Sequence, residues 1–530
     1  MSSAVRAAYR SGEEDETMEP LVLYGSDDRP LGRISPGDGV IFYNIRGERE
    51  IELTRSLTEE GFQPFAVQEP LQLSFATMIE YDRGLNVRVA FPSEGAIGDT
   101  LSEVISRHGL GQVKITEAEK AVHVGYFLNG KRNGPFPGEE RIIVPTRKDV
   151  AFFDEAPEMS IEAIREAVVA QIHDSSRRFI FVNFPNVDVV GHIENEGAII
   201  RAVEAVDREA GLVIEEALRE NLSVIVTADH GTVERWLYPD GAVDTGHTDS
   251  PVPFVLVCPE AEGVTLHGSG ELTDVAPTVL ALLGLPKPDS MTGRSLIEGA
   301  WKVEARKDRR VLLLILDGWG ERESDRGNLI AQARTPTMDK LKGTWPHTRL
   351  AAAGEAVGLP PSTVGNSEAG HLHIGAGRRI YADRVRIDRA IADGSFFTNE
   401  AFLGVMEAVK RDRRSLHLLG IVSFFSSHGS LDHLFALMET ARRAGVGEVF
   451  IHAMLGRRGE LPESGARYIE SVEKRSEDIR LGRVVSVIGR YWSMDREENW
   501  DRIEKTYRML VYGEGTPVAE RRKSHGSQHR

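Results

Sequence analysis

VLLLILDGWG, residues 311–320, opens with an unbroken apolar run and closes on an aspartate followed by a glycine-flanked tryptophan. A run apolar at every position has no solvent face, so it reads as a strand buried on both sides, as parallel sheets covered by helices require. Working outward, Phe179–Phe184, Ser223–Ala228 and Pro253–Val257 have the same character and also end in polar or glycine residues. Between the runs, Ile161–Ile172 and Ile199–Leu218 carry apolar residues at helical spacing. The alternation of buried strand and amphipathic helix predicts an α/β fold built on a mainly parallel sheet.

The chain of 530 residues is long enough for two to four domains on the usual scale of about 100–200 residues each. With 41% hydrophobic and 27% charged residues it has the composition of an ordinary globular protein. A net charge of −17 opposes non-specific contact with nucleic acid or an anionic membrane. Cys258 is the single cysteine, which excludes an intramolecular disulfide and fits a reducing cytoplasm. The opening MSSAVRAAYRSGEEDETMEP has no apolar stretch of signal-peptide length, and Val311–Leu316 is far too short to span a bilayer. The polar segment 298–310, EGAWKVEARKDRR, reads as a connector or equally as a solvated helix face, and the basic end RRKSHGSQHR as a disordered tail.

Several strand ends supply the residue types that bind divalent cations. Asp188 and His192 lie four apart in NFPNVDVVGH, on one face if the segment is helical. Asp229 and His230 follow the strand of SVIVTADHG, His247 sits in TGHTDSPVP before the next strand, and Asp317 ends VLLLILD. Carboxylates and imidazoles gathered beyond the C-terminal ends of parallel strands suit a metal-assisted phosphoryl-transfer site. Ser367, in GNSEAGHLHIGAG where a loop enters a helix, is the candidate nucleophile, with helix amides able to support phosphate charge. The same serine also fits a helix N-cap with Glu368 in the first turn, and the local pattern alone favours the cap.

Together DGWG, GEAVGLP, GNSEAGHLHIGAGR, DVVGH, TADHG and GHTDSPVP resemble the motifs of the cofactor-independent phosphoglycerate mutases, in rotated order. In that family DGWG lies near the N-terminus and TADHG near the C-terminus; here DGWG follows it, and LVYGEGTPVAE reads on into SSAVRAAYRSGEEDE, the pattern of a circular permutation. The resemblance implies an alkaline-phosphatase-like parallel-sheet domain over residues 91–378, holding metals and Ser367. It also implies an α/β transferase-like domain assembled from residues 1–90 and 379–530. Carried over position by position, it implies one metal site from Asp188, His192 and His247 and a second from Asp229, His230, Asp317 and Ser367. The two divalent ions would be manganese, with zinc, cobalt or magnesium as alternatives.

Arg46, Arg49, Lys120, His428, Arg458, Arg490 and Arg496 stand where the family holds its small phosphorylated carboxylate substrate. A monomer is the expected state. The resemblance fails on the acceptor side. SFFSSHGSLDH at 423–433 keeps His428 but has Phe424 and Ser430 where the family has Asp and His, with Phe425 adding apolar surface. LGRRGELP at 455–462 keeps Arg458 but has Gly456 and Gly459 for two aspartates, with Glu460 alongside. The expected activity is phosphoryl transfer through a phosphoserine, of mutase type. The alternatives are a diverged transferase moving a phosphoryl or phosphonyl group to a phosphoglycerate-type acceptor, a phosphatase, and a non-catalytic metal-stabilised binding protein.

Overall fold

Every residue of Val311–Leu316 is buried, and the strand lies hydrogen-bonded in parallel between Ser223–Thr227 on one side and Arg177–Phe184 on the other. Leu312 thus faces Ile180 across one ladder and Val224 across the other, which explains a sequence with no polar alternation. This arrangement comes from a computed structural model, which describes residues 1–68, 71–258, 264–298, 309–324, 326–424, 426–456 and 463–520.

Two units form, one from Glu94–Ala382 and one from the chain ends, Met1–Ser93 with Asp383–Arg530. In chain order the first end supplies β1 (Leu21–Tyr24), β2 (Gly39–Phe42), β3 (Ser74–Ile79) and β4 (Arg88–Phe91). The middle supplies β5 (Gly111–Glu117), β6 (Glu139–Val144), β7 (Arg177–Phe184), β8 (Ser223–Thr227), β9 (Val252–Val257), β10 (Gly270–Glu271), β11 (Val311–Leu316) and β12 (His347–Ala351). The second end adds β13 (Leu416–Ile421), β14 (Val449–Leu455), β15 (Arg483–Gly489) and β16 (Thr516–Ala519).

The middle unit has the strand order β10-β12-β9-β8-β11-β7-β5-β6. It is parallel except around β9, which runs against both β8 and β12. Helix Ile161–Ile172 buries Ile161, Ile164, Val168 and Ile172 at helical spacing. Helix Glu196–Arg219 buries a broader apolar stripe, and its first turn is capped by Asn195 accepting from the Ala198 amide at 3.1 Å. Of the connector 298–310, only Glu298, Arg309 and Arg310 are among the described residues. Arg310 donates to the carbonyls of Arg177 (2.8 Å) and Asp174 (2.9 Å), tying the approach to β11 to the start of β7. The tail, 521–530, also lies outside the described residues.

The unit of the chain ends has the order β16-β1-β15-β14-β13-β2-β3-β4, parallel but for β1 against β15. Its first and last strands, β1 and β16, pair in parallel from Leu21–Thr516 to Tyr24–Ala519. No helix among the described residues is long and apolar enough to cross a membrane.

Candidate active site

Four neighbouring parallel strands of the middle unit, β8, β11, β7 and β5, deliver side chains beyond their C-terminal ends. Asp229 and His230 follow β8, and Asp317 follows β11. After β7 the chain enters helix Asn186–Gly191, which carries Asp188 and is closed by His192. After β5 it makes the single turn Ala118–Lys120. His247 arrives from the loop before β9, and Ser367 begins helix Ser367–Ala376.

The structure brings these residues to one place. Lys120 is buried, and its Nζ donates to Asp188 Oδ2 (2.7 Å), Asp317 Oδ1 (2.8 Å) and Ser367 Oγ (2.6 Å). The Ser367 hydroxyl also lies 2.9 Å from His230 Nε2 and 3.4 Å from Asp317 Oδ1. Asp188 Oδ1 faces His247 Nε2 at 3.0 Å and His192 Nε2 at 3.3 Å. Burial opposes charge on the Asp188 and Asp229 carboxyls; Lys120 and histidines outweigh it at Asp188, as do His230, His371 and Lys120 at Asp229, so both stay below the usual carboxylate range. Burial likewise lowers the Lys120 ammonium and the His230 imidazole, but the surrounding aspartates reverse this, raising Lys120 above its ordinary value and His230 to about 10.

The donor set fits divalent cations on the evidence of its own hydrogen bonds. His192, His247 and His230 turn Nδ1 to the backbone carbonyls of Thr245 (2.8 Å), Gly365 (2.9 Å) and Gly231 (3.1 Å). With a proton fixed at Nδ1, each Nε2 points inward, where a cation would displace any second proton and take up the lone pair, the outer arrangement that orients metal-binding imidazoles. The Nε2 atoms of His192 and His247 stand 3.2 Å apart. Two such donors beside one carboxylate oxygen share a focus that suits a cation. Asp229 Oδ2 is buried and accepts no hydrogen bond among the described residues. Asp188, His192 and His247 form one convergent group and Asp188, His230 and Asp317 another. A third, Asp229 with Asp317 and His371, is geometrically close but chemically weaker. His371 Nδ1 is taken by the Ser367 carbonyl (2.9 Å), and its Nε2 lies 3.2 Å from Asn183 Nδ2.

One local expectation is overturned: Ser367 is not the helix cap. Asn366 caps, its side-chain oxygen accepting from the Ala369 amide at 2.8 Å, and Ser367 stands one residue inside with its hydroxyl free to face the cluster. Two buried residues escaped the sequence reading. Asn183 interrupts the apolar strand β7 and donates to Asp317 Oδ2 at 2.7 Å; a polar residue inside such a strand was the available signal. His371 lies one helical turn beyond Ser367, on the same face.

The unit of the chain ends gathers most of the other sequence candidates, again beyond C-terminal strand ends. Arg496 donates to Glu48 Oε2 at 2.8 Å, and Arg46 lies 3.8 Å from Glu48 Oε1. Arg49 donates to the Met494 carbonyl at 3.1 Å, and His428 Nδ1 is 3.2 Å from Glu50 Oε1. Arg490, at the end of β15, faces Glu16 at 3.9 Å. Arg458, Gly459, Glu460 and Phe425 lie outside the described residues, and Phe424 packs edge-on against Tyr468. Gly456 has φ +105°, and a Cβ there would stand 2.7 Å from Glu16 Cα, so the backbone of the N-terminal segment fills the space an aspartate would need.

Comparison with known proteins finds similarity over two stretches of the chain. Residues 32–287 match the metalloenzyme superfamily, and residues 387–528 match the module described as the BPG-independent PGAM N-terminus. The 2,3-bisphosphoglycerate-independent phosphoglycerate mutase of Syntrophotalea carbinolica is 41% identical over 298 residues, 56% of this chain and 57% of that protein. Its counterpart from Thermomicrobium roseum is 43% identical over 301 residues, with the same coverage. A Leishmania mexicana phosphoglycerate mutase crystallised at low cobalt concentration aligns with 31% identity over 52% of this chain and 53% of that one, TM-score 0.35. The chain thus spans a little over half the length of the curated relatives it matches, and a module described as an N-terminus stands at its C-terminal end. The chain thus joins a match to the metalloenzyme superfamily with a match to the BPG-independent PGAM N-terminus, the latter lying on the C-terminal side, and the relatives it resembles over part of their length are BPG-independent phosphoglycerate mutases.

Proposed function

We propose that this protein is a two-metal phosphotransferase of the mutase type, in which Ser367 takes the phosphoryl group of a phosphoglycerate-type substrate and returns it to a glycerate hydroxyl. The observation that carries this reading is the setting of Ser367: one hydroxyl within reach of Lys120, His230 and Asp317 at the entrance of a helix. Asp188, His192 and His247 would hold one divalent ion; Asp229, His230 and Asp317 with Ser367 would hold the second, with manganese the preferred metal. Bound there, such ions neutralise phosphate charge and make the serine hydroxyl more acidic. In the first half-reaction the Ser367 Oγ–P bond forms as the substrate O–P bond breaks; in the second a glycerate oxygen takes the phosphorus and Ser367 is released. Lys120 holds Oγ in position and balances anionic oxygen. Arg46, Arg49, Arg490, Arg496 and His428, with Arg458, are the groups assigned to the substrate's carboxylate and phosphate.

Phosphorus NMR of the manganese-loaded protein with 3-phosphoglycerate tests this. The expected result is 2-phosphoglycerate from the parent and none from Ser367→Ala or from parent treated with a chelator. Phosphate release without isomerisation would replace the mutase reading by a phosphatase one.

A further inference from the structure

The middle unit carries an open cavity of about 830 Å³ whose lining includes none of the residues of the Ser367 cluster. It lies where Glu271 of β10, Arg349 and Ala351 of β12 and the residues following helix Ser367–Ala376 come together. Arg294, Arg349, Arg378 and Arg379 line it, arriving from three separate stretches of chain, against the carboxylates of Glu271 and Asp274.

The two arginine pairs differ in what balances them. Arg379 is forked onto Glu271, and Arg349 is paired with Glu321 and Glu323. Neither Arg294 nor Arg378 forms a salt bridge with a carboxylate among the described residues, although the Arg378 charge acts at a distance on Asp99, which is itself bonded to Ser290 and Arg107. Arg294 reaches only the Ser269 carbonyl at 3.4 Å, and Arg378 the Gly98 carbonyl at 3.0 Å. Arg378 Nη1 is buried with no hydrogen-bond partner among the described residues, a donor already stripped of water. The Asp274 oxygens accept from the backbone amides of Glu271 (2.9 Å) and Arg294 (2.8 Å), and among the described residues neither arginine's guanidinium donates to them.

The wall is also built rather than incidental. The Gly293 amide donates to the Gly377 carbonyl at 2.9 Å, and a Cβ at Gly293 would stand 2.1 Å from the Thr273 carbonyl oxygen. Backbone packing this close holds Arg294 beside Arg378. In a chain of net charge −17, a concave surface presenting two guanidiniums outside any carboxylate fork is suited to an anionic ligand.

We propose that this cavity is a second ligand site, separate from the Ser367 cluster, for a small organic polyanion whose phosphate or carboxylate oxygens are forked by Arg294 and Arg378. The volume falls in the range of small-molecule sites, larger than a single inorganic anion needs. Helix Ser367–Ala376 joins the two places, with the nucleophile at its first residue and Arg378 just past its end, a separation of roughly 15 Å at 1.5 Å per residue.

Calorimetric titration of the full chain at low ionic strength, with pyrophosphate and separately with citrate, tests the proposal. At least one probe is expected to bind the parent, at least tenfold more weakly to Arg294→Glu, and to regain most of its affinity in Arg294→Lys. Arg294 is exposed, so the thermal melt of each variant should match the parent. Stronger pyrophosphate binding assigns a phosphate-bearing ligand, and stronger citrate binding a polycarboxylate. Absence of binding by the parent, or equal affinity in parent and Arg294→Glu, would overturn the proposal.

Discussion

Lys120 gathers three opposite obligations into one ammonium group: it neutralises Asp188 and Asp317 and positions the Ser367 hydroxyl. Removing one partner of a buried charge network leaves the others uncompensated, at a cost of about 3–5 kcal/mol. Lys120→Met is therefore expected to lower the denaturant stability of metal-free protein by about that amount, and manganese should restore much of the loss by supplying positive charge to the same carboxylates. Urea unfolding with and without metal checks this; an equal loss in both conditions would show that packing, not charge, makes Lys120 indispensable. At this scale the sequence was readable wherever a ligand-type residue closed an apolar run, as Asp317 and Asp229 do. It was ambiguous at Asn366 and Ser367, because adjacent residues both suit a cap and only the backbone path decides between them. Asn183 and His371 act through neighbours brought close by folding, so spacing along the chain reveals little of their partners.

Among the elements, the strands read most directly. Arg177–Phe184, Ser223–Thr227, Val252–Val257 and Val311–Leu316 stand within two residues of their apolar runs, since burial on both faces leaves a continuous signature. The strand β12 does not: HTRLA alternates exposed and buried, and in sequence it resembles any short polar stretch. The sheet of the other unit contains a buried polar chain across three strands. His417 of β13 lies 2.9 Å from His452 of β14 and 3.2 Å from Asp38, and His452 lies 2.7 Å from Ser486 of β15, with the Phe450 ring tilted against His417 at 5.5 Å. Burial, with His417 adding to it, holds the His452 imidazole well below its ordinary value of 6.5, so the folded state keeps it neutral. The unfolded chain takes up that proton as pH falls below about 6.5, which pulls the equilibrium toward unfolding. Stability is therefore full above that value and declines below it, by up to about 1.4 kcal/mol per pH unit from this group. Melting curves at pH 7.5 and 5.5 should show the decline, and His452→Gln should flatten it; an unchanged slope in the variant would assign the acid sensitivity elsewhere.

For the molecule as a whole, an alignment of 298 residues that is 56% of this chain and 57% of the relative means that the two proteins are of similar length yet run in register for little more than half of it. An exchange of order between two parts produces that result, and the BPG-independent PGAM N-terminus module found at residues 387–528 agrees with it. The motifs in rotated order made the rotation legible in the sequence, whereas the pairing partners of the new ends were not, because β16 and β1 are almost the whole chain apart. That pairing has a consequence for biosynthesis. The unit of residues 94–382 is finished while translation still has the last part of the chain to make, but the sheet seeded by β1 to β4 waits for β13 to β16. Ribosome-arrested chains ending near residue 425 should accordingly show a protease-resistant middle unit and a digestible N-terminal segment, with protection of that segment appearing only on release. Residues 1–93, made before the middle unit, are then among the last to find their place, a delay during which unpaired strand edges are available to chaperones or to neighbouring nascent chains.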